Sequence, residues 1–288
     1  MSFSGGDHVW IVYQGPPRWD GEKMVNGDRF FLGGHHKYQA KEGVEFSRGI
    51  GGLLRELSDY RYDTSAEQPG STFVGSVANR REISASINVF GDSPADFRRN
   101  LRRWQDNNPQ DSKGRLWFLT SDGEPRYLPV LPSTNAGLSS VDMDPTILRK
   151  LEGVEWGWVS DDPYFSGYIA RKEFINNSVT FYNPSTVKAV FHKIYLPGPG
   201  KYTVGDITTP TLTADEIVRI DYDPQDQTFT KRNMETGQVT NLWYTLEGKR
   251  PKEWLRPQTK NTISIQYTGT GRTMNPYVEF TPKFRSFI

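Results

Sequence analysis

Cysteine is missing from all 288 residues, so disulfides and thiolate metal sites are excluded. That absence fits a protein assembled in a reducing cytoplasm. Long apolar runs are missing too. No window approaches the 18 or so apolar residues of a membrane-spanning helix. From Met1 to Asp20 there is neither a basic segment nor an apolar run, and Gly5, Asp7, Gln14, Pro16 and Pro17 interrupt it. A secretory signal is therefore not expected. Nor is there an excess of one charge. Lys and Arg number 35 against 34 Asp and Glu, and the two signs are interspersed, so nucleic-acid binding and membrane insertion are not expected. Histidine is scarce. His35 and His36 would point to opposite faces of a strand, and His8 and His192 have no partner at ligand spacing. No metal or cofactor is predicted.

What the chain has in quantity is aromatic side chains, at 13%, with 27 Gly and 19 Pro against only 35% hydrophobic residues. That balance suits short strands joined by many turns. The length suffices for two domains, each with its own core. The expected fold class is mainly β with one short helix, an α+β first domain followed by an antiparallel β-sandwich.

Along the chain, residues 1–35 read as irregular, with a first strand at His8 to Tyr13. Strands are expected at Tyr38 to Ser47 and within Gly70 to Phe90, where Ile83, Ala85, Ile87 and Val89 alternate with Ser84, Ser86 and Asn88. Between them, Ser58 to Gly70 is polar and ends in Pro-Gly, which suits a long exposed hairpin or arm. Ser93-Pro94-Ala95-Asp96 then announces the helix through a cap, a first-position proline and an acid near the positive end of the dipole. Phe97, Leu101 and Trp104 form its apolar face, and Asn107-Asn108-Pro109 stops it. Arg115 to Thr120 and Arg126 to Val130 read as a hairpin, residues 134–146 as a loop, and Leu151 to Val159 as a strand. Gly153 to Phe165 forms a seam. Its aromatic strand runs into a Pro-anchored turn, which makes Trp156, Trp158, Asp162, Pro163, Tyr164 and Phe165 the candidate domain-junction residues. The domains divide at 1–165 and 166–288. Beyond the seam, short alternating segments separated by turn signals predict the sandwich.

The chemical motifs resolve into turns. Asp221, Asp223 and Asp226 have a calcium-loop flavour but lack the sixth-position glycine and the distal Glu, and they read as a hairpin turn. Gly198-Pro199-Gly200-Lys201 places Tyr195 at the first phosphate-loop glycine and Tyr202 at its Ser/Thr, so it too reads as a turn. Neither a nucleophile elbow nor a zincin motif occurs, and no catalytic residue is expected. Arg98, Arg99, Arg102 and Arg103 flank the helix's apolar face, as a solvated face or a subunit contact. Trp156, Trp158 and Trp243 fall on alternating positions and read as core in preference to sugar platforms.

Taken in order, these elements resemble the distal tail proteins of long, non-contractile-tailed bacteriophages, over roughly residues 75–288. The first half carries Arg80-Arg81 leading Ile83 to Phe90, Gly91-Asp92-Ser93-Pro94, the helix 95–106, Gly114-Arg115-Leu116-Trp117-Phe118, Pro125-Arg126-Tyr127-Leu128, and Glu155 to Val159 ending in Asp162-Pro163-Tyr164-Phe165. The second half carries Glu216 to Asp223, Asn241-Leu242-Trp243, Leu255-Arg256-Pro257, Asn261-Thr262-Ile263, and Tyr277 to Phe284. The resemblance implies a ring-forming N-terminal domain and a galectin-like C-terminal sandwich. It implies a non-enzymatic virion protein at the tail tip, assembled in the host bacterial cytoplasm as a homohexamer between the tail tube protein and the tail-tip hub. Ser58 to Ser76 is the candidate belt pairing across subunits. The candidate ring-interface residues are Tyr60, Arg61, Tyr62, Pro69, Phe73, Arg80, Arg98 and Arg102. The rival expectation is a carbohydrate-binding module acting through the sandwich, since a galectin-like shape does not by itself imply glycan binding.

Overall fold

A computed structural model describes the chain outside residues 1–8, 35–39, 55–57, 65–68, 122, 134–146, 148, 189, 225, 227, 247–248, 250–252, 273 and 288. The chain is mostly antiparallel strand with one short α-helix among the described residues, the mainly β class expected of it. It divides into two compact units, Met1–Ser166 together with Arg285–Ile288, and Gly167–Phe284. The last four residues thus fold with the first unit.

The first unit contains β1 (Val9–Gln14), β2 (Arg18–Trp19), β3 (Met24–Val25), β4 (Arg29–Gly33), β5 (Val44–Phe46), β6 (Ser58–Asp63), β7 (Thr72–Ala78), β8 (Arg81–Phe90), α1 (Pro94–Asp106), β9 (Gly114–Thr120), β10 (Arg126–Pro132), β11 (Lys150–Ser160) and β12 (Phe165–Ser166). Its main sheet runs β4-β1-β9-β10-β11-β8-β5, and β12 adds to β10. In β8, Ile83, Ala85, Ile87 and Val89 are all buried, as the alternation requires. Asn88 is buried as well, against the expected outward phase. Its Oδ1 accepts from Gly153 N at 3.0 Å, where β11 bulges between Leu151 and Val154 and Gly153 takes a positive φ of 65°.

Helix α1 lies against β8. Ser93 caps it by accepting from Asp96 N at 3.1 Å, and Phe97 and Trp104 are its buried side chains. Asn107 and Asn108 end it with side-chain amides that donate to the carbonyls of Arg103 and Trp104 at 2.8 and 2.9 Å, the former carbonyl also accepting from Asn107 N. Trp104 meets Phe30 edge-on at 5.1 Å and Tyr13 at 5.4 Å, with Trp156 and Trp158 at 5.3 and 6.2 Å. This aromatic nest is the core. Burying each such ring stabilises the unit by roughly 2–3 kcal/mol.

Two sequence expectations are corrected in this unit. The strand expected at His8 to Tyr13 is β1, but the irregular reading of the rest of residues 1–35 is corrected by β4, which pairs with β1 and buries Phe30 and Leu32 completely. The strand expected from Tyr38 to Ser47 shrinks to Val44–Phe46. Residues 40–43 form a turn in which Gly43 N donates to Ala40 O, and 35–39 lie outside the described residues.

The second unit contains β13 (Ala170–Glu173), β14 (Ser178–Asn183), β15 (His192–Pro197), β16 (Lys201–Val204), β17 (Ile207–Thr208), β18 (Glu216–Asp221), β19 (Phe229–Asn233), β20 (Val239–Asn241), β21 (Thr259–Ser264), β22 (Gln266–Thr268), β23 (Tyr277–Phe280) and β24 (Lys283–Phe284). One sheet runs β13-β23-β15-β18-β19-β20, and two smaller ones are β14-β21 and β17-β16-β22. All three feed a single hydrophobic core. Ile194, Val218, Ile220, Val278 and Phe280 come from the first, Val179, Phe181 and Ile263 from the second, Tyr202, Val204 and Ile207 from the third. The unit is therefore a layered antiparallel arrangement, held by side chains of period two.

Candidate assembly surfaces

Strands β6 and β7 pair only with each other, over the register Ser58↔Ala78 to Asp63↔Thr72. The sequence alternates in β6, so Tyr60 and Tyr62 share one face while Asp59, Arg61 and Asp63 share the other. Tyr60 and Tyr62 meet Phe73 at 6.1 and 5.8 Å. All three rings nevertheless remain more than half exposed; Val77, exposed too, lies opposite Asp59 on the other face. Pro69 is exposed near the tip, and residues 65–68 lie outside the described set. Arg80 is exposed and pairs with Glu82 at 2.9 Å. At the hairpin's root a groove of about 420 Å³ is lined by Leu54, Ser58, Tyr60, Ser76, Ala78, Tyr164 and Arg285.

A second groove, of about 500 Å³, runs along α1 between Arg98, Arg99, Arg102, Arg103 and Asp106 on the helix and Arg18 and Asp28 on the N-terminal segment. Asp28 is held by Arg103 at 2.8 Å, Arg18 at 3.5 Å and Asn107 Nδ2 at 3.0 Å. Burial opposes its charge, but these donors keep its carboxyl below the usual range. Arg99 pairs with Asp96 at 2.6 Å. Arg98 and Arg102 are exposed and have no carboxylate partner among the described residues. The helical stripe was legible in the sequence. Arg18 and Asp28 were not, being some 75 residues away.

The junction candidates turn out to be parts of the first unit. Trp158 is fully buried, and its Nε1 donates to Asn108 Oδ1 at 3.2 Å; Trp156 stacks edgewise in the same nest. Asp162 organises the turn, with its Oδ1 accepting from Tyr164 N at 3.0 Å and its carbonyl accepting from Ser160 Oγ at 2.7 Å. Pro163 O accepts from Arg81 Nε at 2.8 Å, and Arg81 lies 4.8 Å from the buried ring of Phe165. Arg81 is itself only 1% exposed and also donates to Gly52 O, Leu53 O and Arg285 O. The sequence singled out Arg81 as a strand leader but not as the buried fork tying four segments together.

In the second unit, a ladder not expected from the sequence crosses the six-stranded sheet. Tyr195 and Tyr277 are cross-strand partners stacked at 4.6 Å, and the Arg171 guanidinium sits 3.5 Å from the Tyr277 ring. Asp221, fully buried, takes Arg219 at 2.6 Å and Lys193 at 3.1 Å. Burial, seconded by Glu279, pushes the Tyr195 hydroxyl up to about 12. Both faces of Tyr277 are covered, so this ring offers no flat platform to a sugar. Trp243 packs partly buried on the unit's core. Among the described residues no three His, Asp or Glu side chains converge as metal ligands, and no helix is long and apolar enough to cross a membrane.

The solved structures that share this fold are phage tail hub and baseplate proteins. The particular likenesses span both units. The SPP1 Dit (gp 19.1) protein, described as a paradigm of the hub adsorption apparatus in phages infecting Gram-positive bacteria, superposes with a TM-score of 0.58 at 13% identity, covering 96% of this chain and 99% of that one. A chain of the phage P2 baseplate in its activated conformation with Ca gives 0.52 at 10% identity, covering 97% and 99%. One from the same baseplate with Sr gives 0.54 at 11%, covering 98% and 100%. At these identities the likeness is one of fold. No family model and no curated protein sequence matches the chain.

Proposed function

We propose that this protein is a non-enzymatic structural component of a bacteriophage virion, a distal tail protein at the tail tip. Six copies close into a ring that joins the tail tube protein on one side to the tail-tip hub on the other, after synthesis and assembly in the host cytoplasm. The first unit forms the ring, and the second, read as a galectin-like sandwich, is the outer domain. The observation that carries this is the likeness of fold to a phage hub protein over 96% of the chain. The exposed β6–β7 hairpin supplies what a closed ring needs, a surface that differs from the one it docks on. Its exposed rings of Tyr60, Tyr62 and Phe73 are the apolar surface such a contact would cover.

The test is the mass of the purified protein by mass photometry, with negative-stain images of the same sample. Six copies of a 32.9 kDa chain give about 197 kDa, and ring-shaped particles of that mass are expected. A monomer at every concentration, still a monomer when mixed with tail tube and hub proteins, would sink the ring.

A further inference from the structure

Two sets of charges in the first unit have no partner among the described residues, and they match each other. On β6 they are Asp59, Arg61 and Asp63, all exposed and all on the face opposite Tyr60 and Tyr62. The bulge in this hairpin falls on β7 at Val74, so β6 keeps its alternation. Successive charges on that face stand about 6.6 Å apart. On α1 they are Arg98, Arg102 and Asp106, exposed at i, i+4 and i+8 along the arginine groove and about 6 Å apart. The remaining carboxylate of the groove, Asp28, is already taken by Arg18, Arg103 and Asn107.

The order on the strand is minus, plus, minus; on the helix it is plus, plus, minus. Laid in full overlap, the two rows bring like charges together at Arg61 and Arg102 in either direction. Shifted by one step, they pair Arg61 with Asp106 and Arg102 with a flanking carboxylate, and no like pair forms. That holds for both strand directions, the flanking group being Asp59 in one and Asp63 in the other. The spacings agree closely enough for both contacts to form at once.

We propose that β6 of one copy lies along the α1 groove of the next copy, with Arg61 against Asp106 and Arg102 against Asp59 or Asp63. This rests on the ring reading and names the surface that receives the hairpin. The contact is heterologous, the kind that closes a ring by rotation. It leaves Tyr60, Tyr62 and Phe73 facing the opposite way, toward a second apolar contact. Fork-shaped guanidiniums facing carboxylates also fix register, which an apolar face alone does weakly.

Charge reversal tests it. Arg61→Glu and Asp106→Arg, each alone, are expected to weaken association at least about ten-fold in mass photometry, through like-charge contacts. The chain carrying both substitutions is expected to recover most of the loss, since every interface then holds the swapped pair. Both positions are exposed, and thermal melts check that folding is unaffected. The cysteine-free chain allows a second measurement. A mixture of two preparations, one carrying only Arg61→Cys and the other only Asp106→Cys, is treated with a short bismaleimide. A cross-linked dimer of the two chains, missing from either preparation alone, is expected even if the ring is weak. Intact rings with no effect of either reversal and no mixed cross-link would overturn the docking while leaving the ring standing. Single variants that weaken association without recovery in the double variant would overturn the pairing. A wild-type chain that stays monomeric even with tail tube and hub proteins, with no mixed cross-link, would bring down both.

Discussion

At the scale of single residues, His192 is the most exacting position in the second unit. It is 1% exposed at the start of β15, stacked on Tyr222 at 4.1 Å, and neither ring nitrogen has a hydrogen-bond partner. Burial pushes its pKa from about 6.5 down to about 4, with Asp221 pulling weakly the other way. Above pH 6.5 the ring is neutral folded and unfolded, so it costs nothing through titration. As the pH falls from about 6.5 to about 4, the unfolded chain takes up a proton that the folded chain refuses, and stability is lost. The loss amounts to about 3 kcal/mol by pH 4. His192→Phe keeps the stack on Tyr222 and removes the titration. In urea unfolding of the full chain, its stability relative to wild type is expected to grow by about 3 kcal/mol between pH 7 and pH 4. An equal difference at both pH values would show that His192 does not titrate in that window. This burial is easily missed in the sequence, because a histidine at a strand start looks like an exposed one. Its phase with Ile194 and Leu196 was the available signal.

At the scale of elements, the C-terminal tail makes a prediction that the strand pattern of the second half would not. Arg285 O accepts from Arg81 Nη2 at 3.4 Å, and Ser286 O accepts from Arg126 Nη1 at 2.7 Å. Phe287 packs its ring 5.2 Å from Phe118 and 6.0 Å from Phe165. A chain ending at Phe284 leaves buried Arg81 and half-buried Arg126 each short of an acceptor and opens a gap in an aromatic cluster. It is expected to lower the stability of the first unit by about 3 kcal/mol, with little change in the second. Calorimetry of the two transitions checks this, and an unchanged first transition would contradict it. Local elements were the most legible part of the chain. The helix declared itself through Ser93, Pro94 and its i, i+4, i+7 apolar face. The β9–β10 hairpin did so through a short turn, and α1's arginine stripe through helical spacing. What stayed hidden was non-local. β1 pairs with β9 across 100 residues, β4 lacks alternation in Arg29-Phe30-Phe31-Leu32, and the Tyr195–Tyr277 ladder joins strands 80 residues apart. Arg81 hid for another reason. It is in phase with Ile83 and Ala85, but a charged side chain at a strand start reads as solvent-facing until its four carbonyl acceptors are seen.

At the scale of the whole molecule, the β6–β7 hairpin separates assembly from folding. Every described residue of β6 and β7 is exposed or half-buried, and the two strands form a sheet of their own. An isolated two-stranded ribbon is marginal in water, so its aromatic residues gain most of their burial only when something covers them. Ser58 and Ala78 are direct partners in the register, which allows the ribbon to be cut back to its root. Replacing residues 59–77 by Asn-Gly closes Ser58 to Ala78 with a tight turn of the hairpin type. Because no core side chain is removed, the melting temperature of the monomer is expected to change little, by roughly 0.5 kcal/mol in stability or less. The 197 kDa ring, about six times the chain mass, is expected to be lost completely. Rings that persist without the hairpin would move the ring contact to another surface. A collapse of the monomer would instead mean that the hairpin is structural. Retention of the fold with loss of the ring is the outcome that assigns the exposed aromatic face to assembly, because it alone shows that those rings are held in water for a partner.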